Sequence, residues 1–341
     1  MAKWHGIALF VPLLVLVCLS YAASEDGGDG KATYGTWQSL EPDAWASTWL
    51  ILSHIDPDAD VEVRPSGTDL DVGTPYAVPG SQYVRDSESA AFEKLLSRIP
   101  DPDPALVRMG KVIHSVESST WGAGDNELSH IVEEAYRTLQ SRFDRHHVPV
   151  TCYGQFFDAL YSSLKANHSV DKLSQELNSV LGSLESDCEW SVGDGVARQV
   201  MEKGNQEVQT VPVSGVLEAI ASDKDVVFVD TREDQEYQAS RIPGALNIKL
   251  REVNEQTAER LSNADMVVSY CLKDFRGYEV ARKLLRNGVE HSTVMKPHGF
   301  VGWQKLGLPI HAGDESEQQA IDRLSQCARS GNKCMEMASQ Q

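Results

Sequence analysis

Short apolar runs in the second half of the chain each end in charge. Val226-Val227-Phe228-Val229 leads into Asp230-Thr231-Arg232-Glu233, and Val267-Val268-Ser269-Tyr270 leads into Cys271-Leu272-Lys273. Such runs predict buried strands, and the periodic stretch Tyr278 to Leu285 after the second predicts a helix. Strand, helix, strand alternation predicts an α/β domain with right-handed crossovers. The first half reads differently. Ala44 to Ile55 is an aromatic-rich helix stopped at Asp56-Pro57. Asp60 to Arg64 and Pro75 to Val78 are short strand candidates bounded by Pro and Gly. Ala90 to Arg98, Pro104 to Ser115, Leu128 to Phe143 and Gln155 to Lys165 carry helical periodicity, which makes this half a mostly helical α+β domain.

The chemistry concentrates at Cys271, where a strand delivers a thiol into a short basic loop followed by a helix. Loop amides, the helix N-terminus, Lys273 and Arg276 all favour the thiolate, so the sequence predicts a depressed thiol pKa. The alternative is a buried structural cysteine. The surroundings favour the first reading. Asp230-Thr231-Arg232-Glu233, then Arg241-Ile242-Pro243-Gly244-Ala245, then the Cys271 loop, then Gly299-Phe300 and Trp303 occur in an order that resembles the rhodanese (sulfurtransferase) family, over about Val211 to Ile310. That resemblance implies a parallel sheet wrapped by helices, in agreement with the alternation above, and implies that Cys271 carries sulfane sulfur as a persulfide, taken from thiosulfate or a similar small donor and passed to a thiol or cyanide acceptor. It also implies that the amides of Leu272, Lys273, Asp274, Phe275 and Gly277 cradle the anion, and that Arg276 orients the donor's sulfonate. The six residues from Cys271 to Arg276 suit a sulfur; related phosphatases and arsenate reductases use a loop one residue longer.

Three positions depart from the family pattern: Asp274 stands where a glycine is usual, Gly277 where a serine is usual, and Arg241 where a histidine is usual. An inward-facing Asp274 carboxylate would repel an anionic donor and raise the thiol pKa; facing solvent or paired with Lys273 it would not. Asp230 and Arg232 read as a salt-bridged strand end that braces the loop.

Trp49-Leu50-Ile51 with Ile55-Asp56-Pro57-Asp58-Ala59, Pro75-Tyr76-Ala77-Val78-Pro79-Gly80, Phe92-Glu93, Asp103-Pro104-Ala105-Leu106 and Phe157-Asp158-Ala159-Leu160-Tyr161 resemble the chromate resistance exported protein family. Ser47 and Ala90 occupy positions where that family commonly has cysteine, and Glu117 one where aspartate is usual. If the family's thiols handle an oxidant, Cys271 is the redox thiol that remains.

Lys3, the apolar stretch Ile7 to Leu19 and the small residues Ser20 and Ala22 predict a signal peptide over 1–22, cleaved near Ala22, and hence a periplasmic or secreted protein without a stable membrane anchor. Val17 is a poor lipoprotein match before Cys18. A flexible lead-in over 23–33 would precede a first domain at 34–192, a linker at 193–209, the rhodanese domain at 210–313 and a helical tail at 314–341. Without Cys18, five cysteines remain: Cys271 as the odd thiol, and Cys152, Cys188, Cys327 and Cys334 as disulfide candidates. Cys152 with Cys188 and Cys327 with Cys334 is the simplest of three connectivities.

A net charge of -19 argues against nucleic acid as a partner. Asp56, Asp58 and Asp60 imitate the start of a calcium loop, but Val61 and Gly67 occupy the positions that need Gly and Glu. His146-His147 at a helix end reads as a terminus preference rather than a metal pair. No metal or cofactor is expected. Trp37, Trp45, Trp49 and Trp121 read as core, and Asn167-His168-Ser169 fits a glycosylation acceptor. Two alternatives to a sulfurtransferase stay open. One is a catalytically weak rhodanese-fold module that senses oxyanion or sulfide, or serves as a scaffold for a periplasmic protein partner. The other is a thiol-dependent chromate or arsenate reductase, which needs a resolving thiol near Cys271.

Overall fold

The computed structural model describes residues 31–86, 88–117, 126–143, 145, 147–184, 188, 190, 196–199 and 208–331. The signal-peptide segment 1–22, Trp121, His146, Cys334 and most of the 193–209 linker lie outside these residues.

In the first half, strands β1 (Thr33–Trp37), β2 (Asp60–Arg64), β3 (Thr74–Pro75) and β4 (Val196–Gln199) form a parallel sheet in the order β3-β1-β2-β4. Val61 and Val63 of β2 point inward at alternate positions, as the pleat requires. Helices α1 (Pro42–Leu50, extended by a π turn over Ile51–Ile55), α2 (Ala91–Leu96), α3 (Pro104–Glu117), α4 (Asn126–Arg142), α5 (Val150–Lys165) and α6 (Val170–Ser183) pack around it. Pro42 at the start of α1 needs no backbone donor there. Asp43 takes the Ala91 and Phe92 amides at 2.8 and 2.9 Å, which ties α1 to the first turn of α2. Trp45 and Trp49 are core, as read from their spacing, with Trp45 stacked on Tyr153 at 4.6 Å. The Trp37 indole reaches the Thr68 carbonyl at 2.8 Å instead.

The second half is a parallel five-stranded sheet, order β5-β10-β9-β6-β8, from β5 (Gln209–Pro212), β6 (Val226–Asp230), β8 (Leu246–Asn247), β9 (Met266–Tyr270) and β10 (Ser292–Lys296). A separate antiparallel pair joins β7 (Ser240–Arg241) to β11 (His311–Ala312). Helices α7 (Val213–Ala221), α8 (Asp234–Ala239), α9 (Glu255–Leu261), α10 (Phe275–Arg286), α11 (Gly299–Lys305) and α12 (Glu317–Ser330) wrap the sheet. Apolar strands buried on both faces produce two cores, one around Phe228, Val268 and Trp303 and one around Val229, Val267 and Leu284. Leu324 and Cys327 of α12 join the first, so the tail folds back on this domain.

Several boundaries differ from the sequence reading. β1 was not anticipated: its Gly and Thr residues carry little apolar signal, yet it pairs with both β2 and β3. α6 was also missed, because only Leu173, Leu177 and Leu181 mark its buried face. The strand expected at Pro75 to Val78 shortens to β3 plus a single Tyr76–Tyr83 bridge. The expected linker is not all linker: Val196–Gln199 forms the edge strand beside β2, and Gln209 already pairs with β10.

The two halves share apolar packing. Phe275, Tyr278 and Ala281 of α10 belong to the same buried cluster as Trp45, Tyr136 and Phe156. Beside them the Leu40 amide donates to Glu279 at 3.0 Å, and Arg282 reaches the Gln38 carbonyl at 3.2 Å.

Candidate active site

Strand β9, the central strand of the sheet, ends at Tyr270; Cys271 follows at its carboxyl end, and the chain turns through Leu272, Lys273 and Asp274 into α10. The turn is held from two sides. The Phe300 amide of α11 donates to the Cys271 carbonyl at 2.8 Å and that of Val301 to the Leu272 carbonyl at 2.9 Å. Gly277 lets α10 approach closely: a Cβ there would stand 2.9 Å from Tyr270 Cα and 3.0 Å from the Cys271 nitrogen. The backbone amides of Gly277 and Lys273 favour the charged form of the Cys271 sulfur. Among the described residues it is the one free cysteine, and it is 4% exposed.

The predicted depression of the thiol pKa is corrected by this burial. Desolvation pushes the Cys271 thiol up and the Asp274 charge adds to it; the Arg276 guanidinium and the two amides oppose them without overcoming them. Arg276 is itself buried. It donates through Nη2 to the Glu117 carbonyl and stands 3.7 Å from the Glu236 carboxylate, while Nε and Nη1 have no protein acceptor. Leu272 and Phe275 are buried, with the Phe275 ring edge-on to Tyr136 at 5.7 Å.

Asp274 faces neither solvent nor Lys273. Its Oδ2 is bound by Arg137 at 2.9 Å and Arg145 at 2.6 Å, and its Oδ1 lies 3.4 Å from His298 Nδ1. Lys273 pairs instead with Glu133 of α4. Despite burial, the two guanidinium groups and His298 hold the Asp274 carboxyl below its usual range. Asp230 and Arg232 form a buried two-pronged pair at 2.9 and 2.6 Å. The guanidinium also donates to the Ser240 carbonyl at 2.6 Å and lies 4.2 Å over the Phe300 ring, so it ties the end of β6 to β7 and α11.

Beside Arg276, both halves of the chain line a cleft of about 480 Å³ whose walls include Glu41, Arg85, Thr231, Glu233 and Arg251. Arg85 bridges Glu41 at 2.9 Å and Glu117 at 2.7 Å. Burial, reinforced by the neighbouring Glu117 and opposed by Arg85, raises the Glu41 pKa to about 7. Sequence reasoning missed Glu41, Arg85, Glu133, Arg137 and Arg145. Nothing local distinguishes them, since each acquires its role from a residue distant in the chain.

Cys152 and Cys188 are disulfide-bonded with Cα atoms 5.0 Å apart, as the simplest connectivity predicts. Cys327 is also disulfide-bonded; its expected partner Cys334 is not among the described residues. Among those residues no group of three or more His, Cys, Asp or Glu side chains is placed to hold a metal ion, and no helix is long and apolar enough to cross a membrane.

Comparison with known proteins agrees with this division. Residues 34–164 match the family model of the ChrB C-terminal domain, and residues 214–306 match that of the rhodanese-like domain. The HTH-type transcriptional regulator Rv0324 of Mycobacterium tuberculosis is 32% identical over 93 residues, 26% of this chain and 39% of that protein. The protein named "Putative sulfurtransferase YtwF" of Bacillus subtilis is 26% identical over 98 residues, 29% of this chain and 92% of that protein. The chain thus spans well under half of the first relative and nearly all of the second. Among solved structures, the BH2092 protein from Bacillus halodurans has 21% identity and a TM-score of 0.28, covering 31% of this chain and 77% of that one. This chain joins a ChrB C-terminal domain to a rhodanese-like domain.

Proposed function

We propose that the protein is a sulfurtransferase in which Cys271 carries sulfane sulfur. The observation that supports this best is the loop itself: a thiol at a strand end whose charged form is favoured by the Arg276 guanidinium and the Gly277 and Lys273 amides. In the first half-reaction the Cys271 thiolate attacks the outer sulfur of thiosulfate. A sulfur–sulfur bond forms to Cys271, the bond to the sulfonate sulfur breaks, and sulfite leaves with the electron pair. In the second, an acceptor thiolate or cyanide attacks the outer persulfide sulfur and Cys271 departs as thiolate. The amides stabilise the anionic sulfur in both states without changing position.

The reading extends to compartment and context. The apolar segment Ile7 to Leu19 and the Cys152–Cys188 bond favour action outside the cytoplasm, in the periplasm or secreted. The ChrB C-terminal domain favours a connection to chromate or a related oxyanion. A second reading, an oxyanion or sulfide binding module, draws on the 4% exposure of Cys271 and its raised thiol pKa, both of which slow turnover.

Intact mass of the unreduced mature protein before and after incubation with thiosulfate, with peptide mapping, tests the carrier role. One added sulfur on Cys271, absent in Cys271→Ser, is expected. No adduct on a free Cys271, together with unchanged oxyanion binding in Cys271→Ser, would transfer the assignment to the binding module.

A further inference from the structure

The Cys271 loop contains a buried carboxylate, Asp274, that by itself opposes the chemistry proposed for the thiol. Its charge disfavours the Cys271 thiolate and would repel an anionic donor. Every cation in contact with that carboxylate within the rhodanese-like domain is weak: His298 is held below its ordinary pKa mainly by burial, with Arg137, Arg145 and Lys296 also opposing its protonation and only Asp274 favouring it. The strong partners come from the other domain. Arg137 belongs to α4 and Arg145 to the turn after it, and both bind Asp274 Oδ2. Each is also seated on an aromatic ring of α10, Arg137 at 4.5 Å over Phe275 and Arg145 at 4.5 Å over Tyr278, which fixes the guanidinium planes. Glu133, on the same α4 face, holds both Lys273 and Arg137.

We infer that Arg137 and Arg145 are positioning residues for sulfur transfer. The ChrB C-terminal domain supplies the two charges that hold Asp274 toward its own helices and offset its field at Cys271. The inference rests on the sulfurtransferase reading. It explains how a loop with aspartate where related loops have glycine retains a usable anion cradle: the compensation lies in the partner domain.

The test is the pH profile of Cys271 alkylation by iodoacetamide, followed by peptide mapping, on the full chain and on Arg145→Gln, Arg137→Gln, Arg145→Lys, Asp274→Asn and Asp274→Asn/Arg145→Gln. Persulfide formation from thiosulfate is measured in parallel. The groups that bear on the profile are Asp274, Arg276, Arg137, Arg145, Lys273, Glu133 and His298. Arg145→Gln should move the alkylation midpoint to higher pH and slow both reactions at pH 7 by about 3- to 10-fold, roughly what a shift of half to one unit produces. Arg145→Lys should recover most of that loss, and in the Asp274→Asn background the Arg145→Gln change should have no effect on the midpoint.

An unmoved or lowered midpoint in Arg145→Gln, or equal slowing with and without Asp274, overturns the inference. If Arg145→Gln does not fold, as judged by circular dichroism, the comparison of Arg137→Gln with and without Asp274→Asn decides in the same way. Alkylation needs no sulfur donor. A shifted midpoint with no persulfide in the wild-type chain would therefore sink the sulfurtransferase reading alone, while retaining the electrostatic role of the two arginines on the thiol.

Discussion

Gly299→Ala should be among the most damaging single-atom-group changes near Cys271. Gly299 sits at φ +66°, in the left-handed region, where it directs the chain from the end of β10 into α11. A Cβ there would fall on the Lys273 carbonyl, within 2.5 Å of its carbon and 2.6 Å of the Leu272 oxygen. These are backbone atoms of the cysteine loop, so no side chain can swing aside. The left-handed conformation costs a non-glycine residue about 1 kcal/mol or more, and overpacking against fixed atoms adds roughly 1–3 kcal/mol, for a total of about 2–4 kcal/mol. Relief by moving the loop would break the Phe300 and Val301 hydrogen bonds and so exchange one cost for another. Urea denaturation followed by tryptophan fluorescence reads the loss directly, and the melting temperature should fall by several degrees. The same variant should alkylate faster at Cys271, because the displaced loop unseals the sulfur. A loss under about 0.5 kcal/mol with unchanged alkylation would refute the close approach described for this turn.

Asp230→Asn or Arg232→Ala should each destabilise by about 3–5 kcal/mol in urea titration, since either leaves half of a buried pair uncompensated; a cost below 1 kcal/mol would mean that the pair is solvated. Glu41 has a folded pKa raised above its unfolded value, so its contribution to stability is complete below about pH 4.5 and is lost as pH rises through about 7. Stability should fall by about 1–3 kcal/mol between pH 5 and 8, and Glu41→Gln should flatten that slope; an equally steep profile in the variant would place the dependence elsewhere. Removing Cys152 and Cys188 together, which opens a loop spanning 36 residues, should lower stability by about 2–4 kcal/mol, and an unchanged denaturation midpoint would assign the bond no role.

What could be read from the sequence was what local pattern determines. The runs around Phe228 and Val268 are apolar because both faces of those strands are covered, so their type and order were legible, and with them the position of Cys271 at a strand end. β1 and α6 were illegible for the opposite reason: one has few apolar residues, and the other buries a single leucine stripe in a polar segment. The electrostatics of the loop were least accessible. Asp274 meets Arg137 and Arg145 at separations of 137 and 129 residues, and no periodicity links such positions. The thiol pKa was misjudged for a related reason: charges near Cys271 are visible in sequence, whereas the depth of its burial in the folded chain is not.

Phe275, Tyr278 and Ala281 make α10 a structural element of both domains at once. The helix that begins at the cysteine loop is also part of the wall that closes the aromatic core of the preceding domain. Expressed alone, residues 210–313 would present those rings to water, and the first domain alone would have a gap where they belong. The join is therefore unlike a string of interchangeable modules. A rhodanese-like domain from another protein could not be grafted here by matching its catalytic loop alone; the outward face of its first post-cysteine helix would have to be recut to fit.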